Sequence, residues 1–168
     1  ALAFALENIS IPVILVGSQR SSDRPSSDAF LNLYLACRFI AESDFFGVGV
    51  CMHENLNDES CLIYSPCKTK KLHSSRRDAF RSINSKPIAR VSHKGVEFIL
   101  RSHNKKGELN LRLFDEKLKI GLLFSHPNMN AQEVKNYNSF NGLVLVGSGI
   151  GHFPVNKIDE STSENEEI

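Results

Sequence analysis

A lysine held in a cleft can polarise a hydroxyl or shift a proton, because burial and neighbouring charge lower its pKa. Between Lys68 and Arg90 the sequence sets eight cations (Lys68, Lys70, Lys71, Arg76, Arg77, Arg81, Lys86 and Arg90) against Asp78 alone. Lys71 is the residue of most interest in this run, although a solvated basic face would satisfy the same charge pattern. Two polar loops follow apolar runs. Gly17 to Pro25 (GSQRSSDRP) follows Pro12 to Val16, which puts it at the carboxyl end of a strand, where open α/β sheets bind small molecules. A plain solvated connector has the same composition. Gly147-Ser148-Gly149-Ile150-Gly151-His152 follows another apolar run. Such a turn can cradle a phosphate on its backbone N–H groups, but it lacks the GxGxxG spacing and a Lys-Ser/Thr partner. A close backbone approach at a strand end is the better reading.

The remaining reactive side chains show no motif. The six histidines (His53, His73, His93, His103, His126, His152) have no ligand spacing, though His126 and His152 each follow an apolar run and so could line one edge. Cys37, Cys51, Cys61 and Cys67 form no CxxC pair, and no histidine sits at finger-like distance, so a zinc site is not expected. Free thiols of an intracellular protein are expected instead. No Ser-His-Asp or Cys-His signature is legible.

The elements that would position these groups read as α/β. Ala1 to Asn8 is built of helix formers with Asn8 as a stop. Pro12 to Val16 (PVILV) reads as a strand buried on both faces. Ser27 or Asp28 can cap a helix running to about Glu42, with apolar positions at helical spacing. Phe46 to Cys51 is the next strand, and the alternation of helix and strand predicts an α/β sandwich with a mainly parallel sheet. Ser75 could cap a short helix through Ser82. Ile88–Val91 and Val96–Leu100 flank His93-Lys94-Gly95 as a hairpin. Leu109 to Phe114 alternates like a half-exposed strand. Residues 115–119 read as a charged linker. Beyond it, Ile120–Phe124 and Gly142–Val146 read as buried strands around a helix from Ala131 to Tyr137, a β-α-β unit that suits the opening of a second domain.

Composition sets the outer bounds. The chain has 168 residues, 41% hydrophobic and 23% charged, which suits one domain or parts of two. A formal net charge of +1 gives no global field for nucleic acid or membrane. No run is long and apolar enough to cross a bilayer, and no secretory leader is legible, so a cytoplasmic chain is expected. The chain starts at Ala1 inside an apolar segment and stops after an acidic, Ser-rich stretch, which suggests a piece of something larger.

Three segments together resemble one family. Pro12 to Leu33 (PVILVGSQRSSDRPSSDAFLNL) resembles the segment after the Thr-Asp pair of asparaginases and glutaminases. Lys71 to Asn84 (KLHSSRRDAFRSIN) is similar to their catalytic-lysine stretch, and Gly142 to Pro154 (GLVLVGSGIGHFP) to the strand and turn that open their C-terminal domain. The order and spacing match, and the three cover nearly the whole chain. Ser22 to Asp28, Ser75 to Ser82 and Gly151 to Pro154 resemble in detail one branch, the asparaginase-like D-type subunits of archaeal glutamyl-tRNA(Gln) amidotransferases.

The resemblance implies an asparaginase-like three-layer α/β sandwich. Residues 1–114 would be the later part of its N-terminal domain, 115–119 a linker, and 120–168 the start of a smaller α/β domain. It implies a glutamine-hydrolysing protein that passes ammonia to an E-type amidotransferase partner. That partner uses ATP and Mg to convert Glu-tRNA(Gln) to Gln-tRNA(Gln), while this chain binds no cofactor or metal itself. A homodimer within a heterotetramer is implied, with no membrane contact. Of the family's machinery, only the lysine maps here, on Lys71, counted back from Phe80-Arg81-Ser82. The nucleophilic Thr and the Gly-Thr-Asp-Thr motif have no counterpart in these residues, so the chain alone is expected to be inactive. A free-standing L-asparaginase and a noncatalytic asparaginase-like interaction domain are the two alternatives.

Overall fold

The computed structural model describes residues 1–100 and 107–168; His103 lies outside the described residues. Two compact units are formed, Ala1–Leu113 and Phe114–Ile168.

The first unit opens with a helix, α1 (Leu2–Ala5), half the length expected for Ala1 to Asn8. Leu6–Glu7 leave it to form strand β1, and Asn8 takes a positive φ of 61°, which ends the run. The sequence PVILV forms β2 (Pro12–Val16), followed by α2 (Ala29–Glu42) and β3 (Gly47–His53). Next come β4 (Ser60–Tyr64), β5 (Thr69–Lys71), β6 (Phe80–Ser82), β7 (Ala89–Ser92), β8 (Gly95–Phe98) and β9 (Asn110–Leu111). β9 pairs antiparallel with β1.

One five-stranded sheet, in the order β2-β3-β4-β7-β8, forms the framework. β2 and β3 run parallel, with Pro12 opposite Gly47 and Val16 opposite Cys51. β4, β7 and β8 then join antiparallel, so this α/β sheet is mixed. The crossover from β2 to β3 is α2, which lays Leu31, Leu35, Ala36 and Phe39 onto Cys51, Cys61, Ile63, Ala89 and Val91. A side chain the size of Leu35 or Phe39 contributes about 2 kcal/mol when fully buried. The other face holds Met52, Leu62 and Tyr64, and Phe80 of the β5–β6 ribbon packs on them. The α/β class expected from the sequence is the class observed, with a mixed sheet in place of the mainly parallel one expected.

Several expected details differ. Among the described residues β2 is an edge strand paired with β3 alone, and its residues are half-buried to exposed rather than enclosed, with Leu15 and Val16 at 40% and 37% exposure. Ser75 starts no helix. Residues 72–79 form a turn closed by the Leu72 N–H on the Ala79 carbonyl (2.8 Å), and Phe80–Ser82 pair with Thr69–Lys71 as a strand. Packing of Phe80 on the sheet outweighs the local helical preference. Of Leu109 to Phe114, only Asn110–Leu111 are in a strand.

In the second unit β10 (Ile120–Phe124) and β11 (Gly142–Val146) pair in parallel around α3 (Ala131–Lys135). α3 begins with a capping box. Asn130 Oδ1 accepts the N–H groups of Gln132 and Glu133, and Glu133 reaches back to the Asn130 N–H. IGLLF is not enclosed as expected but alternates, with Gly121 and Leu123 buried and their neighbours exposed. Gly121 is required because a Cβ there would lie 2.3 Å from the Tyr137 ring.

Candidate active site

The loop after β2 is anchored from below. Asp28 precedes α2, yet its carboxylate does not cap the helix. It accepts the backbone N–H of Gln19 (3.0 and 3.1 Å to its two oxygens) and of Arg20 (3.1 Å). The cap falls to Ser27, whose Oγ accepts the Ala29 N–H at 3.2 Å. Asn32, one turn along α2, donates from Nδ2 to Asp28 Oδ2 and to the Gly17 carbonyl, both at 2.9 Å. Both partners are acceptors, which fixes the orientation of the amide. Asn32 Oδ1 therefore accepts from His53 Nδ1 at 2.6 Å. Asp28, Asn32 and His53 are fully buried, and buried polar groups of this kind must be hydrogen-bonded.

From His53 the chain of contacts leads outward. Its Nε2 lies 3.3 Å from Asp58 Oδ1 in the turn after β3. With Nδ1 donating, Nε2 bonds to that carboxylate only when it too carries a proton. Burial works against ionisation of Asp58, but the His53 ring and the Arg77 guanidinium outweigh it and hold the carboxyl below its ordinary range. Arg77 also donates to the Leu56 carbonyl. Arg77 thus ties the turn between β5 and β6 to the turn between β3 and β4.

Lys71 is the last residue of β5 and lies opposite Phe80, while Lys70 lies opposite Arg81 on the other face of the ribbon. Lys71 is exposed and forms no ion pair with any described residue. The turn that follows it is held at several points. His73 Nδ1 accepts the N–H groups of Ser75 (3.1 Å) and Arg76 (3.2 Å). Asp78 is buried and receives Arg76 through Nε (2.9 Å) and Nη2 (2.8 Å), and Arg81 through Nη2 (2.9 Å). The Arg76 contact, helped by Arg81 and opposed by burial, lowers its carboxyl to about 2. Tyr64 Oη donates to the Phe80 carbonyl at 3.0 Å, and burial pushes its phenol up to about 12. Gln19 closes the arrangement by donating Nε2 to the carbonyls of His73 (3.2 Å) and Arg76 (3.0 Å). The loop after β2, the turn after β3 and the turn after Lys71 thus meet at one end of the sheet.

A lysine with no ion-pair partner among the described residues, next in the chain to a turn tied to an anchored polar loop, can act on a hydroxyl or carbonyl brought to it. Sequence patterns single out Lys71 and the loop as separate features, and they miss Gln19, Asn32 and His53. The signal for two of these was an amide at the centre of an otherwise apolar helical run and an imidazole ending an apolar strand. In the second unit His126 pairs with Glu133 at 2.7 Å, and His152 takes part through its carbonyl, which accepts the Ser148 N–H at 3.0 Å. At Gly147 a Cβ would sit 2.4 Å from the Gly151 carbonyl carbon, the close backbone approach expected of this turn. All four cysteines are free thiols, Cys51 and Cys61 buried and Cys37 and Cys67 exposed.

Residues 1–104 match the family model described as the N-terminal domain of asparaginase. The chain belongs to the asparaginase family. Among its relatives in that family is the D-type subunit of glutamyl-tRNA(Gln) amidotransferase from Pyrococcus furiosus, 45% identical over 159 residues, a match covering 92% of this chain and 36% of the relative. The corresponding protein of Pyrococcus horikoshii is 40% identical, covering 98% of this chain and 39% of the relative. The chain thus spans little more than a third of the length of these relatives. The thermostable L-asparaginase of Thermococcus kodakarensis has the same fold with a TM-score of 0.78 and 29% identity over 92% of this chain and 44% of that one. A probable cytoplasmic L-asparaginase from Campylobacter jejuni, 24% identical, shares the fold with a TM-score of 0.72 over 95% of this chain and 51% of that one. Among the described residues no helix is long and apolar enough to cross a membrane.

Proposed function

We propose that this chain supplies the Lys71-bearing part of a glutamine-hydrolysing site in a longer asparaginase-type polypeptide. That polypeptide is the ammonia-supplying component of a tRNA-dependent amidotransferase. The carrying observation is the exposed ammonium of Lys71 at the end of β5, without an ion-pair partner among the described residues and next to a turn tied to the loop after β2. A Thr hydroxyl is a weak nucleophile at neutral pH and needs a base or a positioned proton relay. Lys71 serves that relay, and the Thr and its partner Asp come from residues outside this chain. Residues 1–114 belong to the family's N-terminal domain, 115–119 link it onward, and 120–168 begin its C-terminal domain. Ammonia passes to an E-type amidotransferase partner, which uses ATP and Mg and converts Glu-tRNA(Gln) to Gln-tRNA(Gln). The two proteins assemble in the cytoplasm as a heterotetramer built on a homodimer of the longer polypeptide.

The 45% identity over 159 residues with the Pyrococcus furiosus amidotransferase protein supports this branch. The test compares ammonia release from glutamine and from asparagine by the full-length protein, alone and with its ATP-dependent partner. Release from glutamine coupled to Gln-tRNA(Gln) formation is expected. Rapid hydrolysis of free asparagine without any partner would favour a free-standing asparaginase instead.

A further inference from the structure

We propose that Gln19 is a positioning residue for Lys71, acting through the turn that joins β5 to β6. The proposal rests on the reading of Lys71 as the relay lysine of the site. Gln19 is fixed at both ends. Its backbone N–H is gripped by the two oxygens of Asp28, a carboxylate that is itself fully buried and held by Asn32. Its side chain therefore starts from a rigid point. The two hydrogens of Nε2 go to the carbonyls of His73 and Arg76, at 3.2 and 3.0 Å. These carbonyls bracket the turn. The Arg76 carbonyl also accepts the Ala79 N–H at 3.2 Å, and the Ala79 carbonyl accepts the Leu72 N–H at 2.8 Å. Any displacement of residues 73–76 is transmitted through that ladder to Leu72 and to its neighbour Lys71.

The chemistry explains why a primary amide is needed. One nitrogen must donate twice, to two carbonyls three residues apart, from a stem long enough to cross between loops. Glutamate has the same size and no donor, and its oxygens would face two carbonyl oxygens. Among the described residues only Gln19 carries side-chain hydrogen bonds from the loop after β2 to this turn. Its contribution is to geometry at the reacting centre, where a misplacement of about 1 Å can cost about a hundredfold in rate.

The experiment uses the full-length enzyme with Gln19→Glu and Gln19→Leu, and Lys71→Met as a reference, with glutamine as substrate. For each, kcat, KM and the thermal midpoint are measured. Both Gln19 variants are expected to lose at least about tenfold in kcat, with KM within about twofold of the parent and the thermal midpoint retained. If both keep kcat within about twofold while Lys71→Met is inactive, Gln19 has no positioning role and the reading of Lys71 stands. If kcat, KM and thermal midpoint deteriorate together in both, Gln19 merely supports the fold and the proposal is overturned. If Lys71→Met itself remains active, the reading of the site fails and the proposal falls with it.

Discussion

At the residue scale, Asp78 shows how the turn beside Lys71 is made rigid. A buried carboxylate binding two guanidinium groups has its folded-state pKa lowered to about 2 from an ordinary 3.8, Arg76 being the larger cause and Arg81 the lesser. A depressed carboxylate pKa contributes stability that is fully present above the unfolded value and is lost as pH falls through the folded one. The window therefore runs from about pH 4 down to about pH 2. Asp78→Asn keeps the shape and removes the charge. It should lower the denaturation free energy by roughly 1–3 kcal/mol at neutral pH, the scale of hydrogen bonds to charged groups. The difference from the parent should shrink as the pH drops through that window. Denaturant midpoints measured across the acid range would show it, and a gap that persists undiminished at the lowest pH would contradict the ion-pair account.

At the element scale, the anchor is the junction of α2 with β2 and β3. Asn32 lies on α2 and bonds to Gly17 after β2, to Asp28 before α2, and to His53 at the end of β3. Asn32→Ala removes the side-chain hydrogen bonds to three buried or half-buried partners at once and should cost about 2–4 kcal/mol in chemical denaturation. Leu33→Ala, on the exposed side of the same helix, should stay near about 0.5 kcal/mol or below. Equal losses would mean that the polar network contributes nothing beyond ordinary packing. This junction also marks the limit of what the sequence discloses. α2, β2, β3 and the β7–β8 hairpin are legible because their apolar periodicity and turn residues are local signals. Asp28 is legible only as a helix cap. Its actual partners, Gln19 and Arg20, lie nine and eight positions back in the chain. Arg77 finds Asp58 nineteen positions away, a pairing no local pattern encodes. Ser75 to Ser82 read as helical for a related reason. The strand that forms there is dictated by Phe80 packing on Met52, Leu62 and Tyr64, residues of the sheet rather than of the segment. For the site, Lys71 itself is reached through resemblance, since its charge pattern alone fits a solvated face better.

At the scale of the whole molecule, the proposed function has this chain contribute a framework and one ammonium group, that of Lys71, to a site completed by a longer polypeptide. The two units each display apolar side chains to solvent, such as Phe30 at 78% and Phe114 at 65% exposure. The aligned region covers only 36% of the Pyrococcus furiosus amidotransferase protein. The proposed role of Lys71 must therefore be tested in the full-length protein together with the proposed ATP-dependent partner. The decisive measurement is Gln-tRNA(Gln) formation by the Lys71→Met complex with two nitrogen sources, glutamine and added ammonium. Methionine retains much of the apolar stem of lysine, so folding and partner association should survive. Product should form from ammonium at a near-parental rate and scarcely at all from glutamine. Lys70→Met should have a far weaker effect, because neighbouring residues of an extended strand point to opposite faces. Near-normal glutamine-dependent synthesis in Lys71→Met, or a larger loss in Lys70→Met, would contradict the assignment.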